Sequence, residues 1–311
     1  MYEEFYGFWR SPFSLAPDPL FLYLSESHDG AIRDILQAIR RKEGFIVLTG
    51  EIGTGKTTLC RAVIDELDAS TFTSLVLDPF VSVEELLKRM LVDFGVVSRD
   101  ALRGGGLAAA TKHQLVTALH DFLLSLVPLK ATCVLIIDEA QNLSPPVLEQ
   151  IRVLSNLETS DAKLLQIILV GQLGLLQALG ESEIRQINQR VSLRAVLTPL
   201  TRPALEAYVS HRLAVADGGA VVFNRAALDR LHRYSGGVPR VINLICDRAL
   251  MAGAQAGTTE ITAAMVSRAA RVLDVKPATG DRWRKTLFWI LIAVILLGLI
   301  AAGVTLGLSA L

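Results

Sequence analysis

Gly50, Gly55, Lys56 and Thr57 stand in the stretch Phe45-Ile-Val-Leu-Thr-Gly-Glu-Ile-Gly-Thr-Gly-Lys-Thr-Thr-Leu59, where they satisfy the spacing GxxxxGK[ST]. An apolar run precedes them and a helical pattern follows, the context in which this motif holds phosphate. Glycines let successive backbone N–H groups turn inward around phosphate oxygens. The loop Gly50, Glu51, Ile52, Gly53, Thr54, Gly55, Lys56, Thr57, Thr58 is expected to supply them. Lys56 would reach the β and γ oxygens, and Thr57 would offer its hydroxyl to Mg²⁺ at the positive end of a helix. Further along, Cys133-Val-Leu-Ile-Ile-Asp-Glu-Ala140 reads as a buried strand ending in two carboxylates. That arrangement is costly unless a cation or a reacting water uses it. Asp138 is expected to hold Mg²⁺ through its water shell and Glu139 to polarise an attacking water, so the two motifs together predict an ATP and Mg²⁺ site.

Elements must bring those motifs together. Phe45 to Thr49, Ser74 to Leu77, Cys133 to Ile137 and Leu165 to Val170 are short runs rich in Val, Ile and Leu, separated by long amphipathic segments. Such alternation predicts an α/β core in which a parallel sheet lies between helices. Past Pro199 the β-like runs thin out, apart from Ala220-Val-Val-Phe223, and helices are expected over Arg202 to Ala214, Arg225 to Tyr234, Pro239 to Ala254 and Thr262 to Leu273. The expected organisation is an N-terminal segment over 1–42, a P-loop core over 43–200, a small all-helical lid over 201–275 and a linker over 276–286. The run Gly104-Gly105-Gly106 reads as a surface turn, since no buried strand leads into it.

The end of the chain changes character. Leu287 to Leu311 carries no charged residue and would rise about 37 Å as a helix at roughly 1.5 Å per residue, against a hydrocarbon core of about 30 Å. A single transmembrane helix is therefore expected over 287–308. Arg282, Arg284 and Lys285 precede it, which by the positive-inside bias predicts an inner-membrane, single-pass protein with its core in the cytoplasm. The start, MYEEFYGFW, lacks the basic and long apolar regions of a secretory signal. Lys and Arg total 31, as do Asp and Glu, so no global field attracts nucleic acid. Cys60, Cys133 and Cys246 are far apart in apolar stretches and read as small core residues, and the five histidines show no paired ligand spacing.

Taken together, Phe13-Ser-Leu-Ala-Pro-Asp-Pro-Leu-Phe-Leu-Tyr-Leu24, the glycine-rich loop, Asp138-Glu-Ala-Gln-Asn-Leu143 and Val170-Gly-Gln172 resemble the AAA+ ATPases of the general secretion pathway protein A family over about residues 1 to 275. The resemblance implies an envelope secretion, pilus or polysaccharide export system as partner, action as a homo-oligomer, and an opening segment, Trp9-Arg-Ser-Pro-Phe-Ser-Leu15, that helps bound the adenine pocket; that segment reads equally as a hydrophobic cover for the core. Relatives in the secretion branch often carry a peptidoglycan-binding region after the membrane helix, and no direct cell-wall binding is expected within these 311 residues. The resemblance also implies site residues. Gln172 falls at a polar sensor position, or is a structural turn residue. Arg240, in Ser235-Gly-Gly-Val-Pro-Arg-Val241, falls at a second sensor position in the lid, or is a surface arginine. Arg190 is favoured over Arg185 and Arg194 as an arginine acting on a neighbour's site. Two other readings remain beside the ATP-hydrolysing motor: a DNA-associated ATPase of the transposition type, which neutral charge disfavours, and a nucleotide-dependent binding switch with little turnover.

Overall fold

In the computed structural model, residues 2–16, 18–103, 105, 107, 109–159, 163–175, 185–217 and 219–278 are described. Five parallel strands, β1 (Phe45–Gly50), β2 (Thr71–Val76), β3 (Thr132–Ile137), β4 (Leu165–Gly171) and β5 (Val191–Leu197), form one sheet in the order β2-β3-β4-β1-β5. Parallel strands need crossovers, and these carry helices onto both faces, which explains why β1 and β4 are buried along their whole length. Successive side chains alternate between two cores. Phe45, Val47, Leu135, Ile137, Ile167 and Leu169 pack with the helices Val83–Asp93, Lys112–Ser125 and Pro145–Leu154. Ile46, Leu48, Val134, Ile136, Ile168 and Val170 pack with Glu26–Arg40 and Lys56–Asp65. Capping boxes at Ser82/Glu85 and Thr111/Gln114 start two of these helices.

The four expected strands are present, with β2 beginning at Thr71 rather than Ser74. The fifth strand was not anticipated. Its sequence Val-Ser-Leu-Arg-Ala-Val-Leu mixes polar residues into an edge strand whose outer positions are exposed, so it lacks the continuous apolar run that marks the central strands.

Beyond residue 200, helices span Arg202–Val215, Arg225–Ser235, Pro239–Gln255 and Ala263–Val272, within a residue or so of the expected bounds. This region is not purely helical: β6 (Val222–Phe223) pairs in parallel with β7 (Glu260–Ile261). Its core also holds residues from the opposite end of the chain. Tyr2, Tyr6, Phe8, Phe13 and Phe21 are buried there among Leu205, Leu231, Ile242 and Leu250. The Tyr2 hydroxyl donates to Asp247 Oδ1 at 2.6 Å, Tyr6 to the Leu250 carbonyl at 3.1 Å, and Trp9 Nε1 to the Val215 carbonyl at 2.7 Å. The first twenty or so residues are thus a strap on the C-terminal helices, while the helix Glu26–Arg40 belongs to the sheet.

The expectation of a transmembrane helix over 287–308, and of a single-pass inner-membrane protein, is corrected. That segment lies outside the described residues, and among the described residues no helix is long and apolar enough to cross a membrane. The longest of them, Pro239–Gln255, has 17 residues, rises only about 26 Å against the roughly 30 Å required, and carries Arg240, Asp247 and Arg248.

Phe13 is 1 % exposed and meets Phe223 edge-on, with ring centroids 6.3 Å apart. Phe13→Ala should lower the stability of the 311-residue chain by about 3–5 kcal/mol in denaturant unfolding, as for other buried aromatic truncations. A cost under about 1 kcal/mol would show that the strap is not part of that core.

Candidate functional site

The C-terminal ends of β1 and β3 open on the same side of the sheet, with β4 between them. The glycine-rich loop leaves β1 and runs into the helix Lys56–Asp65, whose N-cap, Gly55, provides no side-chain cap. The first N–H groups of that helix are therefore open to a ligand at its positive end. Lys56 is buried, and its Nζ donates to the Gly50 carbonyl at 3.1 Å and the Glu51 carbonyl at 3.0 Å. Thr54 is fully buried and closes the turn, its hydroxyl donating to the Glu51 carbonyl at 2.8 Å. Glu51 and Ile52 at the tip are exposed.

From β3, Asp138 is 3 % exposed and accepts on both oxygens: Oδ2 from the Thr57 hydroxyl in a short bond, Oδ1 from the Glu139 N–H at 2.8 Å. Glu139 has left-handed backbone, φ 48°, which is uncommon for a residue with a Cβ and turns its side chain out of the strand direction. It lines a cleft of about 370 Å³ together with Lys56, Thr57, Thr58, Gly53 and Arg240.

The C-terminal helices form the opposite wall. Arg240, at the start of Pro239–Gln255, donates its backbone N–H to the Gly53 carbonyl at 3.2 Å. Gly53 has φ +83°, and a Cβ there would lie 2.7 Å from the Arg240 Cβ, so only glycine admits this approach. The strap forms the remaining wall through Ser14, Leu15, Ala16, Asp18, Phe21, Leu22 and Tyr23. The aromatic residues of the N-terminal segment cover a core, as one of its two readings expects, and its polypeptide also borders the cleft.

Of the sequence-expected residues, Lys56, Thr57, Asp138, Glu139 and Arg240 come together. Gln172 does not join them directly: one residue past β4, its backbone N–H donates to the Gln141 Oε1 at 3.2 Å, and Gln141 Nε2 in turn donates to Glu139 Oε2 at 2.5 Å. Arg190 is exposed and away from the cleft, its guanidinium donating to Ser155 Oγ at 2.9 Å and Asn156 Oδ1 at 2.5 Å. Arg194, exposed on β5, bonds Asn188, and Arg185 begins the helix Arg185–Asn188.

Sequence reasoning missed His28, Tyr208, Arg212 and Asn243, all of which line the cleft. Arg212 is buried and donates to the Pro12 carbonyl and to the Tyr208 hydroxyl, which donates to Asn243 Oδ1, so the lid and the strap are joined there. His28 is buried between Ser25 Oγ, 2.7 Å from Nδ1, and the Thr54 carbonyl, 2.9 Å from Nε2. A carbonyl only accepts, so Nε2 carries the proton and Nδ1 accepts from Ser25. No short-range motif announces such residues, because each acts through a partner distant in sequence.

A parallel sheet with a phosphate loop on β1, an acid pair on β3 and helices beside the loop is the arrangement of an α/β P-loop fold of the AAA type. A family model described as an AAA domain matches residues 39–179. The chain is 41% identical over 271 residues to General secretion pathway protein A of Aeromonas hydrophila, covering 87% of this chain and 48% of that protein. The resemblance to that family read from the residues is thus borne out, while the chain spans about half the length of the curated relative it matches. Solved structures share the fold at low identity. The ORC2 protein of Aeropyrum pernix, with ADPNP and ADP, superposes with a TM-score of 0.63 at 17% identity, covering 84% of this chain and 71% of that one. Cdc6p of Pyrobaculum aerophilum gives 0.61 at 18%, covering 84% and 70%. The RuvB branch-migration motor of Thermotoga maritima gives 0.54 at 17%, covering 89% and 80%.

Burial holds the His28 pKa below its ordinary value, the bond to the Thr54 carbonyl opposing this in part. Because the folded pKa is the lower one, stability from neutral His28 is complete above the unfolded pKa of about 6.5 and declines as pH falls from there toward the folded pKa. His28→Gln should flatten the fall in unfolding free energy between about pH 7.5 and pH 5. An unchanged pH slope would remove His28 as its source.

Proposed function

We propose that this chain hydrolyses ATP and uses the cycle, as a homo-oligomer, to assemble or remodel a cell-envelope secretion, pilus or polysaccharide export complex. The contact of the Thr57 hydroxyl with Asp138, beside Glu139 in the cleft that also holds Lys56, is the observation that carries the hydrolytic part. The secretion role is suggested by the likeness to General secretion pathway protein A.

The donors fit the ligands. Thr57 Oγ1 and Asp138 Oδ2 are hard oxygen groups already converged at the end of the phosphate loop, the donor type that Mg²⁺ takes. Mg²⁺ would neutralise charge on the β and γ phosphates when bound. Lys56 and the loop N–H groups would bind the phosphates, and the exposed Arg240 guanidinium would approach them from the lid. Glu139 would accept hydrogen bonds from the attacking water and orient it. Gln172 would act as sensor beside this carboxylate, through its backbone link to Gln141. Arg190 is exposed and does not line its own cleft, which suits an arginine that enters a neighbour's.

Steady-state ATP turnover of the 311-residue chain is expected to rise with protein concentration. Lys56→Ala should lose nucleotide binding, and Glu139→Gln should bind but turn over about 10²–10⁴-fold more slowly. Arg190→Ala should be inactive alone and regain activity when mixed with Glu139→Gln, because each supplies what the other lacks. Binding of ATP without turnover at any concentration would replace the motor by a nucleotide-dependent binding switch.

A further inference from the structure

The acid pair is joined to the neighbouring strand by one side chain. Gln141 sits on the short turn Ala140–Asn142 that follows Glu139. Its two amide atoms have partners of opposite and unambiguous character. Glu139 Oε2 lies 2.5 Å from Nε2 and the Gln172 backbone N lies 3.2 Å from Oε1. A carboxylate only accepts and a backbone N–H only donates, so the amide has one orientation that satisfies both.

The seat for that amide is built into β4. A Cβ added at Gly171, the last residue of the strand, would lie 2.6 Å from Gln141 Oε1 and 2.9 Å from Leu175 Cδ2. Glycine at this strand end leaves the gap that the amide oxygen occupies. Glu139 itself stands on left-handed backbone and lines the cleft while its carboxylate is held. A carboxylate at the start of a turn would otherwise sample several rotamers, and a base misplaced by about 1 Å loses much of its effect.

The geometry points to Gln141 as the positioning residue that fixes the Glu139 carboxylate toward the cleft and ties its orientation to the turn at the end of β4. Any displacement of the Gly171–Gln172 backbone is passed to Glu139 through two hydrogen bonds, so β4 reports to the water-orienting group without its side chains entering the cleft. This rests on the reading of Glu139 given under the proposed function.

The test uses the full chain, with nucleotide affinity from a fluorescent ATP analogue and kcat from steady-state turnover. Gln141→Met keeps nearly the same volume and removes both bonds. It should lower kcat about 10-fold while Kd stays within about twofold, the pattern of a group acting in the transition state only. Gly171→Ala, which displaces the amide without altering it, should lower kcat several-fold, and the double variant should be no slower than Gln141→Met alone. Inactive Glu139→Gln beside fully active Gln141→Met overturns this inference alone, as do kcat losses that multiply in the double variant. Full turnover in Glu139→Gln overturns the reading of Glu139 and this inference with it.

Discussion

Asp138 is a carboxylate removed from water, and the rest of the site is arranged around keeping it satisfied. A buried acid without partners is destabilising by several kcal/mol, so each oxygen needs a donor. One comes from Thr57 at the first turn of the phosphate-loop helix and the other from the Glu139 backbone. Those partners can meet only if β1 and β3, one strand apart, run to the same edge of the sheet. The parallel register through β4 provides this: Val47 faces Leu169, and Leu169 faces Ile137.

The second wall of the cleft comes from elements that have no place in the sheet. The C-terminal helices meet the loop where the Arg240 backbone bonds Gly53, and the N-terminal strap is folded into their core. The strap leads directly into Glu26–Arg40, where His28 holds the Thr54 carbonyl. A shift of the helical region therefore pulls on the phosphate loop from two sides, at Gly53 and, along the chain, at Thr54. The burial of five aromatic residues in the strap makes that linkage stiff. This is the physical route by which occupancy of the cleft and the attitude of the lid can be coupled.

Much of this was legible in the residues. The central strands announce themselves because strands covered on both faces must be apolar throughout, and the loop and acid pair because their chemistry requires fixed spacing. The helices after residue 200 follow their own periodicity closely. What escaped is what depends on distant partners or on half-exposed positions. β5 carries Ser192 and Arg194 among its apolar residues and so lacks the continuous apolar run of the central strands. His28, Gln141 and Arg212 each bond a group that only the fold brings near: the Thr54 carbonyl, the Gln172 N–H and the Pro12 carbonyl. The allegiance of the first residues to the far end of the chain has no local signature, since an aromatic segment packs equally well on any apolar surface.

In the function proposed above, the cleft binds an adenine nucleotide together with Mg²⁺ through Thr57 and Asp138. Thermal unfolding of the full chain tests it directly, compared without nucleotide, with ATP plus EDTA, and with ATP plus Mg²⁺ under conditions too brief for turnover. A ligand at about 100 times its Kd stabilises by roughly 2.7 kcal/mol, which corresponds to a rise of a few degrees in Tm for a chain of this size. Such a rise is expected with ATP and Mg²⁺, and a smaller one when EDTA removes the metal. Identical midpoints in all three conditions would contradict it.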